Sequence, residues 1–315
     1  IASTTSAGFA TSSLFKVLAN GNVGIGSSTP GSLFTVSSNV GHNLLSVNSI
    51  GNVTFGTSTN ANIFINGGTT TVSAIPSNSI AIGNGALTYT STGTANLYNI
   101  ALGSQALYGS STALITGTDN FATGRQALYS NTTGTGNIAQ GFQALYYSSD
   151  ANYNTALGYQ AMYGSSTSLM SGGYNFAVGN SALYNNTTGN HNIAQGNSAL
   201  YSNTTGGSNI AMGYATLYSN ITGSGNIAQG YQALRYSIGS YNTAIGYQAL
   251  TGSSTALMTG GDNIAMGYQS GFNNTTGVGN VFTGYLAGQS NTSGNYNIVQ
   301  GYQSLRYSST ASNNI

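Results

Sequence analysis

The chain of 315 residues has no cysteine, no tryptophan and no glutamate, only two prolines, and charged residues make up 2 % of it. Each shortage excludes something. Without cysteine there is no disulfide and no thiolate metal site. With four Lys or Arg against three Asp, the net charge is +1, too weak a field to steer a nucleic acid or an anionic membrane. No apolar run approaches the length of a membrane-spanning helix. The acids Asp119, Asp150 and Asp262 are isolated and in turn-like sequence, so they form no carboxylate pair of the kind glycoside chemistry needs. His42 and His191 are far apart, and His191 sits in a Thr-Gly-Asn-His-Asn turn that reads as solvated. The expectation is a protein that is not an enzyme and holds no metal or cofactor.

What is present is repetition. The phrase Asn-Ile-Ala-Gln-Gly occurs at 137–141, 192–196 and 226–230, and looser copies run from Ser79 to Gly301. Thirteen copies close on Gly83, Gly103, Gly124, Gly141, Gly158, Gly179, Gly196, Gly213, Gly230, Gly246, Gly267, Gly284 and Gly301, in steps of 16 to 21 residues, most often 17. A period this short means stacked coils.

We number each copy from its closing glycine as position 0. Position −4 is Asn in twelve copies, position −2 is Ala in eleven, with Phe282 and Val299 as exceptions, and position +4 is Leu in ten, with Met162, Gly271 and Gly288 otherwise. No stretch has helical period and caps. Positions −4 to −1 read as a short strand ended by the glycine, +1 to +5 as the start of a second strand, and Asn-Thr-Thr-Gly segments such as 131–134 as the turn back. The expected fold is all-β, a parallel β-solenoid (β-roll) of about thirteen coils over residues 78–315.

In such a stack like residues lie over like, about 4.7–4.9 Å apart. A charged column would repel itself, which accounts for the missing charge, whereas Asn and Gln amides can bond to their own copies. The core is therefore assigned to columns that include Ala139, Leu145, Ala194, Leu200, Ala228 and Leu234. The turn glycines include Gly141, Gly196 and Gly230. Ladder positions are Asn137, Asn192 and Asn226, with Gln140, Gln195 and Gln229 at −1 as a polar seam: facing partner chains in an oligomer, or water in a monomer.

Tyrosine numbers 23. One column at +5 runs from Tyr108 to Tyr218. Another at +1 comprises Tyr214, Tyr231, Tyr247, Tyr268, Tyr285 and Tyr302, readable as an edge that stabilises the stack or as a stripe that binds sugars or surfaces. Asn-x-Thr/Ser recurs at Asn131, Asn186, Asn203, Asn220, Asn274 and Asn291, each an acceptor site for glycosylation or simply a tight turn. Paired threonines, as at 132–133, leave an ice-binding face as a further reading.

Residues 1–77 follow another pattern, with Gly21-Asn22-Val23-Gly24-Ile25-Gly26 and, thirty residues on, Gly51-Asn52-Val53-Thr54-Phe55-Gly56. These read as short strands and tight turns, closed by Gly-Ser-Ser-Thr-Pro at 26–30. Residues 57–77 read as a junction with one strand at 63–65. The phrase Gly-Asn-Val-Gly-Ile-Gly resembles units of phage tail fibres and repetitive bacterial surface proteins. The phrase Asn-x-Ala-x-Gly-x-x-Ala resembles the head repeat of trimeric autotransporter adhesins (YadA-like heads), over about three quarters of the chain. That resemblance implies a left-handed roll, three chains around one axis, and a place at the cell surface; the expected partners are the chain itself and either glycans or a host or neighbouring cell surface. Asn314-Ile315 looks like the opening of another copy, so the chain is expected to be part of a longer polypeptide.

Overall fold

The computed structural model describes residues 15–18, 22–25, 34–37, 43–47, 53–54, 63–65, 79–90, 97–109 and 114–315. The segment 26–30 and His42 lie outside them. The described residues contain strands and turns and no helix. Near the N-terminus five short strands form one mixed sheet in sequence order: β1 Phe15–Val17, β2 Val23–Ile25, β3 Phe34–Ser37, β4 Asn43–Val47 and β5 Val53–Thr54. Neighbours are antiparallel except β2 with β3.

The rest is a parallel β-solenoid. Fourteen strands of three residues each, from β6 (Ile63–Ile65) and β7 (Ile80–Ile82) to β19 (Ile298–Gln300), form one sheet in unbroken sequence order. Every step has zero register slip, so Ala139 pairs with Ala122 below and Ala156 above. The 20- and 21-residue coils keep this register and put their extra residues elsewhere, as the Ser148–Met170 and Ser237–Met258 bridges show. Ile63–Ile65 pairs parallel with Ile80–Ile82. The ladder therefore begins in the stretch read as a junction, one strand before the first recognisable repeat.

Each three-residue strand points its middle residue inward. The Ala column at −2, including Ala139, Ala194 and Ala228, is 0 % exposed, as are the leucines Leu145, Leu200 and Leu234 at +4, and the alanines at +3 are at most 1 % exposed. Small residues on the strand leave room for leucines arriving from the opposite wall.

The segment after the glycine is not a strand, contrary to the reading from sequence. It is a run of turns in which +2 and +4 take left-handed backbone angles, as at Gln143 (φ 55°) and Leu145 (φ 53°). Leucine seldom accepts this conformation, which costs roughly 1–3 kcal/mol per residue unless its surroundings impose it. Here the stack imposes it. Gln126 donates its backbone N–H to Ser104 O in the coil below, and Leu128 donates to Ala144 O in the coil above. Alternating handedness points successive amides down and then up, so turn residues join the ladder between coils as strand residues do.

The closing glycine is required twice over. At Gly83 φ is +129°, and a Cβ there would lie 2.6 Å from the carbonyl oxygen of Gly103 in the next coil. The same collision recurs at each closing glycine up to Gly284, so no side chain fits there.

Two coils break the core pattern together. Phe282 replaces Ala at −2, and Gly271 and Gly288 replace Leu at +4. The Phe282 ring is fully buried and occupies the space of both missing leucines: a Cβ on Gly271 would come within 2.6 Å of it, and one on Gly288 would collide with it. Large and small have been exchanged across the core with its volume kept.

Candidate functional surfaces

The asparagines at −4 point inward. Asn137, Asn192 and Asn226 are 0 % exposed. Asn192 donates its backbone N–H (2.9 Å) and Nδ2 (3.1 Å) to Asn175 Oδ1, and Nδ2 also reaches Gly206 O at 2.9 Å. Its own Oδ1 accepts the same pair from Asn209. An amide suits this place because it donates on one side and accepts on the other; neither carboxylate nor ammonium does both.

The six Asn-x-Thr/Ser asparagines form a second internal column, at +7. Asn131, Asn186, Asn203, Asn220, Asn274 and Asn291 are all 0 % exposed. Each Nδ2 donates to the carbonyl three residues on, as Asn203 does to Gly206 O at 3.0 Å, and Asn203 and Asn220 also bond downward to Asn186 and Asn203. Of the two readings of these asparagines, the tight turn is the one this geometry matches: the nitrogen a glycan would occupy is buried and engaged. The column is interrupted by Ser148 and Ser237, and the oxygens below them, Asn131 Oδ1 and Asn220 Oδ1, lack a partner. Gly134, three residues after Asn131, leaves space for that Oδ1; Ala151 stands at the matching place after Ser148.

A glutamine ladder exists, but not at −1. Gln140, Gln195 and Gln229 are exposed on the outward strand face, and their neighbours above and below are Thr123 and Leu157, Val178 and Met212, and Met212 and Ile245. No glutamine there meets another along the stack. The ladder is at +2, where Gln126, Gln143 and Gln160 each donate Nε2 to the Gln Oε1 one coil below at 2.9–3.0 Å. After Ser181, Ser198 and Ala215 interrupt the column, a second run begins in which Gln248 donates to Gln232 Oε1 and Gln269 to Gln248 Oε1. The recurring Gly-x-Gln in successive coils was the available signal.

Among the described residues three kinds of surface remain open. The first is the outward face of the long sheet. Positions −3 and −1 flank the buried Ala, and Ile193, Ile227, Ile264, Met212, Ile245 and Met266 are 37–43 % exposed along it. The second is the tyrosine column at +1, whose six rings stack at 5.1–5.3 Å with planes within 14° of parallel. They are 41–73 % exposed. Rings stacked on one another present edges and hydroxyls outward rather than faces, so this stripe is poorly suited to lie flat against a sugar ring. Tyr153, Tyr174 and His191 make a shorter stack at −5, which places His191 in an aromatic column.

The third is a groove of about 470 Å³ beside the first coils, lined by Asn84, Gly85, Ser104, Gln105, Tyr108, Arg125 and Gln126. Gly85 stands where the next glutamine down would be, so the ladder stops at Gln105 and the groove opens beneath it. The Arg125 guanidinium at its rim lies 4.9 Å over the Phe142 ring. The paired threonines do not form an open array, since one of each pair turns back, as Thr187 does by donating Oγ1 to Thr204 O.

The tyrosine column at +5 is more enclosed. Rings from Tyr108 to Tyr218 stack at 4.8–5.3 Å, and Arg235 closes the run 5.7 Å over Tyr218. The Tyr89 hydrogen bond, with burial, raises the Tyr108 hydroxyl to about 12. Burial, with Tyr147 beside it, raises Tyr163 to about 12, and burial also raises Tyr146, Tyr184 and Tyr201. A group whose pKa is raised on folding favours its neutral form there, so its contribution is complete below the unfolded value near 10 and disappears as pH climbs to the folded one. Stability should hold up to about pH 10 and fall between about 10 and 12, with phenolate absorbance and loss of circular dichroism rising together. Phenolate formation complete before any structural change would count against an enclosed column.

No helix among the described residues is long and apolar enough to cross a membrane, and no three or more His, Cys, Asp or Glu among them lie close enough to hold a metal ion. Compared with protein-family models, with curated proteins and with solved structures, the chain matches none.

Proposed function

We infer that this chain is a structural segment of an extracellular fibre or surface appendage, giving reach, rigidity and attachment, and that it works as a homotrimer. The observation that carries this reading is the outward sheet face: a straight apolar strip that follows one wall of the stack, on a molecule almost without charge. Exposed apolar strips of this extent mark contact surfaces. Three copies meeting on that face would cover Ile193, Ile227 and Ile264 and bring Gln140, Gln195 and Gln229 to a shared axis. The likeness of Asn-x-Ala-x-Gly-x-x-Ala to autotransporter adhesin heads supports the same arrangement and a cell-surface location; the N-terminal Gly-Asn-Val-Gly-Ile-Gly phrase fits a phage tail-fibre shaft as well. At about 4.8 Å per coil, thirteen coils extend roughly 60 Å.

Sedimentation at micromolar concentration should give a trimer. Lysine in place of Ile193, Ile227 and Ile264, whose side chains point outward, should give a monomer with an unchanged circular dichroism spectrum. A well-folded monomeric wild type would overturn the trimer. A second reading, saccharide binding, rests on the groove at Arg125 and Gln105; glycan-array binding that disappears in Arg125→Ala and survives Tyr247→Ala would favour it.

A further inference from the structure

The chain has no cysteine with which to fasten one coil to the next. Its outward tyrosine column has the geometry for another covalent fastening. We propose that Tyr214, Tyr231, Tyr247, Tyr268, Tyr285 and Tyr302 form an oxidative modification site, in which neighbouring rungs couple to dityrosine and staple successive coils within one chain.

Three observations carry this. The rings are held in register, centroids 5.1–5.3 Å apart and nearly parallel, with no residue between neighbours. Each of the six residues is 41–73 % exposed, which opens the column to an external oxidant. Gln232 donates Nε2 to the Tyr231 hydroxyl oxygen at 3.3 Å, and Gln303 does the same to Tyr302 at 3.4 Å. An accepted hydrogen bond stabilises the oxygen while leaving the phenolic hydrogen free to depart. The sequence also lacks tryptophan, an easily oxidised side chain that would otherwise compete for the oxidant.

The oxidant is a one-electron system of the haem-peroxidase class, with hydrogen peroxide as its substrate. Each of two neighbouring phenols loses one electron and its hydroxyl proton. The two radicals form one carbon–carbon bond between ortho carbons. Each coupled carbon then gives up its hydrogen, which returns to the phenol oxygen and restores the aromatic ring. Peroxide takes the two electrons and two protons and leaves as two waters. The product is the intact chain less two hydrogen atoms per staple, and each staple closes a loop of 16 to 21 residues.

The test is to treat the dilute full chain with a haem peroxidase and hydrogen peroxide, then map cross-links by mass spectrometry. Tyr98, Tyr241 and Tyr296 are internal controls: they are 51–67 % exposed but have no described tyrosine stacked on them. The expected result is intramolecular dityrosine between adjacent rungs of the column, little at the three controls, and a raised thermal midpoint in the stapled product. Replacing Tyr231, Tyr268 and Tyr302 together by Phe leaves no two adjacent tyrosines in the column, and cross-linking there should drop to the level of the denatured chain. Should that variant not fold, native and denatured wild type treated side by side decide the matter. Cross-links that follow exposure alone, that join separate molecules with equal yield, or that appear equally in the denatured chain would overturn the proposal.

Discussion

Replacing Phe282 by Ala should cost about 3–5 kcal/mol, among the largest losses any single truncation in this core can produce. The ring fills space that leucines occupy in ten other coils, and both facing positions are glycine. Removing it opens a cavity that a ladder in fixed register cannot close by collapsing. Gly288→Leu should fail for the opposite reason, since its side chain would run into the ring, at a cost of about 1–3 kcal/mol or more. Backbone strain is not the obstacle there: Gly288 has φ 58°, close to the 53° that Leu145 already accepts. The two defects should therefore cancel. Phe282→Ala combined with Gly271→Leu and Gly288→Leu restores the usual Ala and Leu columns, and its denaturant midpoint should return close to wild type. A triple variant as unstable as Phe282→Ala would show that the three positions are not one packing unit.

The second large effect is expected from a change of one atom. Asn192→Asp keeps the shape and an acceptor but replaces Nδ2, which donates to Asn175 Oδ1 and Gly206 O, by a second oxygen. If ionised, that oxygen faces two acceptors in a site that is 0 % exposed, so the loss at neutral pH should be about 3–5 kcal/mol, as for a buried charge left without its partner. Burial and the facing oxygens favour the protonated acid and raise its folded pKa above the unfolded value near 3.9. The variant should be least impaired below about pH 4, where folded and unfolded chains are both protonated, and should lose stability as pH rises through the folded pKa. Denaturant midpoints at a series of pH values check this cleanly, because the chain has only three Asp and no Glu to contribute a background slope. A variant equally stable at pH 3 and pH 7 would mean the −4 column is not closed to water.

Much of this architecture is visible in the order of residues. Identical residues at a fixed period must lie over one another once strands stack in parallel, so the thirteen glycines, the inward Ala at −2 and the asparagine ladder follow from counting. The glutamine ladder was equally legible: Gln126, Gln143 and Gln160 fall in consecutive coils, whereas Gln140, Gln195 and Gln229 never do. Column membership, rather than the presence of an amide, decides who can bond to whom.

What the sequence determined by itself was the period, the parallel stack and the neutrality that a stack of like on like demands. Tertiary structure alone decided which way each turn residue faces. Nothing local makes Leu145 left-handed or sends Asn203 inward; local preference argues against the first and is silent on the second. Both are settled by hydrogen bonds to neighbouring coils, Leu145 through its N–H to Ala161 O and Asn203 through its amide to Asn186 and Asn220. Such bonds turn an apparent second strand into a ladder of turns and leave the outward sheet wall, the tyrosine edge and the groove at Gln105 as the open surfaces among the described residues.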